Sequence, residues 1–257
     1  MLFAWSVAMA APDVEHLRPA VVTLVTEDLL GRRTGNGTGF FVRADGVVVT
    51  NNHVAEASPT AALLADGRRV AVRGVLATDA DADLALLVLE GDGYPALPLA
   101  DGATIHVDEP VVVIGSPSGF EQTVTRGVIT AMRDDGAEEA SDGVVARGPI
   151  LQISAEISPG SSGSPVMTED GHVVGVAQSV NMLMDSYFAV DVRSVRALIT
   201  RTPADAALTP VVGPGRNLLL TLAFVGAVVG VFAAPTLWGL VRRRRRGRSA
   251  PVKFGPR

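Results

Sequence analysis

Short runs of β-branched and apolar residues recur between about residues 20 and 192, and most of them end at a turn signal. The turn signals include Asp-Gly pairs at 45–46, 66–67, 92–93 and 170–171. Many short strands at regular spacing favour a β-sandwich or a pair of β-barrels, and a single amphipathic helix is expected at 193–200. The predicted fold class is therefore all-β. The predicted strands are 21–26, 38–42, 47–50, 70–76, 84–89, 111–115, 123–131, 150–154, 173–178 and 188–192.

The composition limits the chemistry that the chain can perform. The 257 residues include no cysteine, which excludes a disulfide framework, a thiolate metal site and a cysteine nucleophile. The net charge is −5, but residues 242–257 hold eight of the 22 Lys and Arg residues and no acid, so the rest of the chain is strongly acidic. Because phosphate contacts need Lys and Arg, we expect no nucleic-acid partner.

Both ends of the chain have features of an exported membrane protein. Residues 218–241 are 24 uncharged, mostly apolar residues, and a helix of that length, about 36 Å, would cross a bilayer core of about 30 Å. Five arginines follow at 242–246, and such a basic flank stays in the cytoplasm. Residues 1–11 predict a signal peptide, because an apolar stretch ends in a small-x-small triplet, although the usual basic n-region is missing.

These features predict a division of the chain into five parts. Residues 1–11 form a signal peptide and residues 12–200 a domain on the non-cytoplasmic face of the cell membrane, with a bacterial envelope as the best fit. The Pro-, Gly- and Ala-rich residues 201–216 form a linker. A single transmembrane helix at 217–241 and a basic cytoplasmic tail at 242–257 complete the chain.

Three segments carry the residue types of a nucleophilic catalytic triad. His53 follows one predicted strand, Asp83 precedes another, and Ser162 lies in the glycine-rich turn 158–165. A serine hydroxyl is a weak nucleophile at neutral pH, so a histidine must take its proton while a carboxylate holds the imidazole in the required tautomer. Glycines beside the serine allow the backbone to direct the N–H groups of Gly160 and Ser162 at one oxyanion.

The order and context of these motifs resemble the HtrA/DegP-like branch of the trypsin-like (chymotrypsin-fold) serine proteases, over roughly residues 14–200. The resemblance implies two six-stranded barrels, with His53 and Asp83 from the first barrel and Ser162 from the second meeting in a cleft. It also implies a trypsin-like serine protease domain at 12–200, an acyl-enzyme at Ser162, and no cofactor or metal. The resembling segments are 37–42, 46–53, 83–86, 113–117, 122–129, 152–164, 173–176 and 187–190.

Three features depart from the pattern of that family. Ser164 stands where many members have glycine, a change that also occurs in active relatives. Ser161 stands where an aspartate would allow a zymogen-type ion pair, so no cleavage-activated switch is expected. The PDZ domain that commonly follows the protease domain is not recognised in this sequence, and the apolar segment 217–241 takes its place.

Neighbouring residues of the same type are alternatives for two of the roles. Ser161 is the alternative nucleophile, and Asp79 and Asp81 are alternatives for the carboxylate. Asp83 is favoured because it directly precedes the apolar strand, as in the family motif. The alternative for His53 is a capping or core histidine. The remaining histidines lack such a context and are expected at the surface or in turns: His16, His106 and His172.

Four residues are candidates for substrate binding. Glu156 lies six residues before Ser162, where the resemblance implies the floor of the pocket for the substrate side chain before the cut bond. A buried carboxylate there would favour Arg or Lys in the substrate, whereas HtrA-like enzymes usually prefer small apolar residues. The alternative is that Glu156 points outward from a loop. Gln178, Ser179 and Val180 are expected along the cleft, where they could pair with an extended substrate backbone.

Together, the residues and the resemblance predict a membrane-anchored serine endopeptidase, a hydrolase that cleaves proteins on the non-cytoplasmic face. Protein quality control in the envelope is a candidate role. The expected partners are protein or peptide substrates and the membrane, and the resemblance leaves a homo-oligomer open. The main alternative is a catalytically silent protease-fold module that binds peptides or proteins. A hydrolase of small esters is a further alternative, against which the long peptide cleft of the implied fold argues.

Overall fold

The computed structural model describes residues 14–116, 122–134, 147–181, 186–203 and 205–211, and these residues form two closed antiparallel barrels of six strands each. The first barrel contains β1 (Val21–Glu27), β2 (Arg33–Phe41), β3 (Val47–Thr50), β4 (Ala61–Leu63), β5 (Arg69–Asp79) and β6 (Leu84–Leu89). The second contains β7 (Pro110–Gly115), β8 (Thr123–Arg133), β9 (Ile150–Ile153), β10 (Pro165–Thr168), β11 (Val173–Asn181) and β12 (Ser186–Asp191).

The two barrels share one strand order. The first is ordered β1-β2-β3-β6-β5-β4 and closes by pairing β1 with β4. The second is ordered β7-β8-β9-β12-β11-β10 and closes by pairing β7 with β10. The predicted all-β class and the two six-stranded barrels are thereby confirmed.

The apolar strand β6 connects the core of the first barrel to the contact between the barrels. All six of its side chains are buried, and because side chains alternate along a strand they serve two different clusters. Leu84, Leu86 and Val88 join a cluster that includes residues of both barrels. Ala85, Leu87 and Leu89 fill the interior of the first barrel. Burial on both faces explains why β6 is continuously apolar. The buried strand also fixes the position of Asp83, the residue directly before it.

All ten predicted strands are present within the described residues, with ends that differ by up to five residues, and two strands were not predicted. The strand β4 has the sequence Ala-Ala-Leu, which lacks the β-branched residues on which the prediction relied. The strand β10 begins with a proline directly after the glycine-rich turn. Both complete a barrel by long-range pairing, which local sequence does not report.

The chain returns to the first barrel after the second is complete. The amphipathic helix α2 (Val192–Arg201) begins at Asp191, whose carboxylate accepts the N–H of Arg193 at 2.7 Å. Beyond α2, Thr209 and Val75 of β5 exchange both backbone hydrogen bonds at 2.8 Å, and Leu208 packs against the cluster shared by the barrels. Leu208 and Thr209 of the predicted linker are therefore attached to the barrels.

Several predicted features lie outside the described residues: the signal peptide at 1–11, linker residues 212–216, the transmembrane helix at 217–241 and the tail at 242–257. Among the residues that are described, no helix combines the length and the apolar character that a membrane crossing requires.

Candidate active site

His53 lies on α1 (Asn52–Glu56), a short helix that follows β3 directly. The start of this helix is tied to the backbone of Asp83. The carbonyl of Asp83 accepts the N–H of Asn52 at 3.1 Å and the side-chain amide of Asn51 at 3.1 Å. The His53 side chain remains 33% exposed, while that of Asp83 is 4% exposed. The imidazole is therefore accessible to solvent, and the carboxylate that holds it is buried.

The carboxylate of Asp83 binds His53 at two points. Its Oδ2 lies 2.8 Å from the ring Nδ1, and its Oδ1 accepts the backbone N–H of His53 at 3.0 Å. One carboxylate therefore fixes both the ring orientation and the backbone that carries the ring. With Nδ1 as the donor, the other ring nitrogen, Nε2, keeps its lone pair.

The backbone of Asp83 lies in the left-handed region at φ = +50°, a conformation that Asp tolerates better than most residues. The preceding turn supports it, because Asp79 accepts the N–H of Ala82 at 3.0 Å and binds Arg201 of α2 at 2.5 Å. Burial by itself would raise the pKa of Asp79, but these two donors outweigh it and hold the pKa below its usual value.

The structure thus separates the three candidate carboxylates. Asp79 faces Arg201, and Asp81 is exposed, 3.8 Å from Arg147. Asp83 is the one in contact with His53.

Ser162 lies in the serine loop, residues 158–164, between β9 and β10. Hydrogen bonds within the loop run from Ser161 N–H to the Ser158 carbonyl and from Ser164 N–H to the Ser161 carbonyl, each at 2.9 Å. The N–H of Gly163 donates to the carbonyl of Ala177 in β11, also at 2.9 Å. Gly163 has φ = +87°, and a Cβ there would lie 2.0 Å from the Thr38 carbonyl oxygen, so glycine is required.

The backbone N–H groups of Gly160 and Ser162 in the serine loop have no acceptor within the described part of the chain. Gly160 has φ = +96°, which suits glycine. Unused N–H groups two residues apart, beside a serine hydroxyl, are suited to stabilise negative charge on an oxygen. In this structure the Ser162 hydroxyl donates to the carbonyl of Gln178 at 3.2 Å.

Glu156 is exposed in this structure, whereas its neighbours Ala155 and Ile157 are buried. Its role in substrate binding stays a prediction. Its carbonyl accepts the hydroxyl of Thr125 at 3.0 Å. The alternative interpretation, an outward-pointing Glu156, agrees with this exposure.

The predicted cleft residues lie where β11 passes the serine loop. Gln178 is 4% exposed and lies at an irregularity of the β11–β12 pairing, and its side-chain nitrogen has no partner within the described residues. The backbones of Ser179 and Val180 pair with Phe188 and Tyr187 of β12.

Sequence reasoning did not identify Thr38 of β2, whose backbone N–H donates to the carbonyl of Ser162 at 2.8 Å. The signal that could have found it is the pair of flanking glycines. A Cβ at Gly37 would lie 2.6 Å from a Val54 methyl, and a Cβ at Gly39 would lie 2.6 Å from a Val48 methyl. Glycines in a buried strand indicate close approach of other chain segments. No group of three or more potential metal ligands occurs among the described residues.

The chain has two antiparallel barrels with one strand order, a carboxylate-bound histidine and a glycine-rich serine loop. These features define the class of chymotrypsin-fold peptidases. Residues 37–176 match the family model described as "Trypsin-like peptidase domain", which is more than half of the chain. The chain belongs to this family.

Relatives of the chain include two proteins named as probable periplasmic serine endoproteases, DegP-like. The protein from Marinomonas sp. (strain MWYL1) is 33% identical over 183 residues, which cover 70% of this chain and 38% of the relative. The protein from Hahella chejuensis is 37% identical over 144 residues, 56% of this chain and 29% of the relative. The chain therefore spans about a third of the length of these curated relatives.

Solved structures support the same fold. A protease of M. tuberculosis in its active form superposes with a TM-score of 0.65 at 24% identity, covering 82% of this chain and 97% of that one. An HtrA-type protease solved with a tripeptide superposes with a TM-score of 0.62 at 25% identity, covering 73% of this chain and 61% of that one.

Proposed function

We propose that this protein is a serine endopeptidase in which Ser162 is the nucleophile, His53 the general base and Asp83 the residue that orients His53. The observation that carries the proposal is the 2.8 Å contact of His53 Nδ1 with Asp83, together with a serine loop in which the N–H groups of Gly160 and Ser162 have no acceptor among the described residues. These are the parts that acyl transfer through a serine requires.

The proposed reaction begins when Ser162 Oγ attacks the scissile carbonyl and passes its proton to His53 Nε2. Asp83 keeps Nδ1 as the donor and stabilises the imidazolium that forms. The N–H groups of Gly160 and Ser162 receive the developing oxyanion. His53 then protonates the leaving amine, and a water molecule deprotonated by His53 releases the acyl group from Ser162. For this attack the Ser162 hydroxyl must leave the Gln178 carbonyl and turn to His53.

The edge of β11 supports an extended peptide as the substrate. The strand β10 pairs with β11 only as far as Val176, and the serine loop takes the backbone groups of Ala177. From Gln178 onward, the described pairing of β11 is with β12 alone, so the other edge of Ser179 and Val180 has no strand partner among the described residues; Gln178 contacts Ser162. A substrate strand could pair with this edge, and the backbone hydrogen bonds between the strands would align its scissile bond with Ser162.

The proposed location is the non-cytoplasmic face of the cell membrane. It is supported by the apolar segment 217–241, the arginines that follow it and the signal-like residues 1–11. The relatives described above carry the word periplasmic in their names. A periplasmic domain with a single membrane anchor is consistent with cleavage of misfolded or regulatory proteins in the envelope.

A second candidate function is a catalytically silent module that binds peptides. The observation that favours it is the hydrogen bond of the Ser162 hydroxyl to Gln178 rather than to His53. A serine held in that position would leave the cleft able to bind an extended peptide but unable to attack it.

The test is covalent labelling of the full-length chain, purified in detergent, with a fluorophosphonate probe, followed by mass spectrometry of the labelled peptide. We expect labelling at Ser162 that is lost in Ser162→Ala and in His53→Ala but kept in Ser161→Ala. Hydrolysis of fluorescein-labelled casein should follow the same pattern. A folded wild-type chain that neither labels nor cleaves would reject the endopeptidase and favour the binding module. Labelling at Ser161 would reject the assignment of the nucleophile.

A further inference from the structure

We propose that Thr38 of the first barrel is a positioning residue, which holds the serine loop of the second barrel in the shape that exposes the N–H groups of Gly160 and Ser162. The inference rests on the proposed function, because it concerns the oxyanion donors of that same site. Thr38 contacts the loop at the carbonyls of Gly160 and Ser162, whereas the Ser162 hydroxyl binds Gln178, so Thr38 would act only through the loop.

Thr38 binds the serine loop at two carbonyls. Its hydroxyl donates to the Gly160 carbonyl at 2.8 Å, and its backbone N–H donates to the Ser162 carbonyl at 2.8 Å. Thr38 is fully buried. The two carbonyls that it holds therefore flank Ser161 and point into the contact between the barrels.

Holding those carbonyls restricts the peptide units on both sides of the one that carries the Ser162 N–H, and the first of these units follows Gly160. The C=O and N–H of one trans peptide unit point in opposite directions. The unit between Ser161 and Ser162 is itself fixed, because the Ser161 carbonyl accepts the N–H of Ser164 at 2.9 Å. With the units before and after it held by Thr38, the N–H of Ser162 keeps one direction, and the backbone directly after Gly160 is held too.

The hydroxyl of Thr38 has a defined direction because a second group binds it. It accepts the backbone N–H of Ser116 at 3.1 Å, which leaves its own hydrogen for Gly160. Ser116 is held in turn by the hydroxyl of Thr23 at 2.6 Å and by the side-chain amide of Asn36 at 3.2 Å. The Thr38 carbonyl accepts the hydroxyl of Thr50 at 2.7 Å.

A change at Thr38 should therefore affect the loop before it affects the barrels. Loss of the hydroxyl leaves the part-buried Gly160 carbonyl and the buried Ser116 N–H without their partner, which is unfavourable for both groups. The loop can recover a hydrogen bond only by turning its peptide units. That movement takes the N–H groups of Gly160 and Ser162 away from the oxyanion position.

The experiment compares two variants of nearly equal shape in the full-length chain in detergent. Thr38→Val keeps the volume and removes the hydroxyl, whereas Thr38→Ser keeps the hydroxyl. The readout is saturation kinetics of fluorophosphonate labelling at Ser162, which separates probe binding from the covalent step. Thr202→Val is the control, because it removes a hydroxyl that donates to a backbone carbonyl, that of Leu198 at 2.7 Å, outside the network that holds Thr38.

For Thr38→Val we expect the maximal labelling rate to fall about 10- to 100-fold with half-saturation within about threefold of wild type, less than the loss of an oxyanion donor itself would cause. Thr38→Ser should restore the maximal rate to within about threefold. Thr202→Val should lower the melting temperature without lowering the labelling rate, as expected for a hydrogen bond outside the site.

The outcomes separate the two proposals. If the folded wild-type chain does not label, the proposed function fails and the role of Thr38 fails with it. If wild type labels and Thr38→Val labels at the same rate, the role of Thr38 alone is overturned. If Thr38→Val does not fold, Thr38→Cys replaces it, since a thiol of similar size is a weak donor. The same fall in rate is then expected, and a wild-type rate overturns the inference.

Discussion

The carboxylate of Asp83 receives two N–H groups from the same residue, the ring Nδ1 and the backbone N–H of His53, at 2.8 and 3.0 Å. The Asp83 carbonyl also holds the first turn of the helix that carries His53. The position of the proposed base therefore depends on one residue, whose own backbone is held in the left-handed region at φ = +50°.

Replacing Asp83 by Asn should abolish most of the activity without unfolding the chain. Asn tolerates the left-handed region, but its amide group would favour the wrong tautomer of His53, and the same change in a studied serine protease costs about 10⁴-fold in kcat. We expect a loss of about 10³- to 10⁴-fold in casein cleavage and in fluorophosphonate labelling. Asp81→Asn is the control, since Asp81 is exposed and makes no contact with His53. Equal losses in both variants would contradict the assignment.

The stability of the protein should decline in acid partly through Asp79. The pKa of Asp79 is lowered in the folded state: burial opposes the charge, but the N–H of Ala82 and the guanidinium of Arg201 favour it more strongly. A carboxyl group with a depressed folded pKa contributes stability above its unfolded pKa, near 3.9, and loses that contribution as the pH falls through its lower folded pKa.

The variant Asp79→Asn should therefore be less stable than wild type near pH 7, by about 1–3 kcal/mol for a charge-assisted hydrogen bond, and the difference should shrink below about pH 4. Thermal unfolding at a series of pH values measures this difference. Asp66→Asn serves as the comparison, because Asp66 is exposed and its partner Arg68 is two residues away. A gap between wild type and Asp79→Asn that stays constant with pH would contradict the linkage.

The attachment of the chain after α2 to the first barrel can be tested at Gly74. A Cβ at Gly74 would lie 2.8 Å from the carbonyl oxygen of Thr209 and 3.1 Å from the Leu208 side chain. We expect Gly74→Ala to lower stability by about 1–3 kcal/mol, as overpacking does, and to speed proteolysis within residues 205–211. Gly35→Ala is the matched control, since a Cβ there would meet Thr26 at an ordinary 3.8 Å. Equal cleavage rates in the two variants would mean that this attachment is not formed in solution.

The proposed topology can be tested with reporters at the C-terminus. If residues 217–241 cross the membrane with the arginines inside, green fluorescent protein fused after residue 257 should fluoresce in a bacterial host, and alkaline phosphatase at the same position should be inactive. Replacing residues 242–246 by glutamine should reduce this bias. Active phosphatase on the wild-type sequence would place the tail outside and reject the proposed orientation.

Much of the fold could be predicted because its signals are local. The strand β6 is apolar on both faces, and Asp83 stands directly before it, so the strand also distinguished Asp83 from Asp79 and Asp81. His53 could be predicted in a similar way, because it follows closely after the apolar strand β3. The assignment of catalytic roles to these residues stays a prediction until the labelling experiment is done.

Other features depend on contacts between distant parts of the chain and leave no local pattern. The pairing of Val75 with Thr209 joins residues that are far apart in the sequence. The Pro- and Ala-rich sequence around Thr209 therefore predicted only a linker. Glu156 is exposed between two buried neighbours, Ala155 and Ile157. The sequence did not predict this burial pattern, because it depends on how the folded loop packs. The contacts of Thr38 with the serine loop likewise arise from the packing of one barrel on the other.

The division of the site between two barrels affects how the protein should tolerate mutation. His53 and Asp83 move with one barrel and Ser162 with the other, while a shared apolar cluster that includes Leu86 and Val112 lies between them. A substitution in this cluster can rotate the barrels by a few degrees and keep each one intact. Misalignment of the proposed base and nucleophile should then precede unfolding, so enzymatic activity is a more sensitive gauge of this contact than any melting curve.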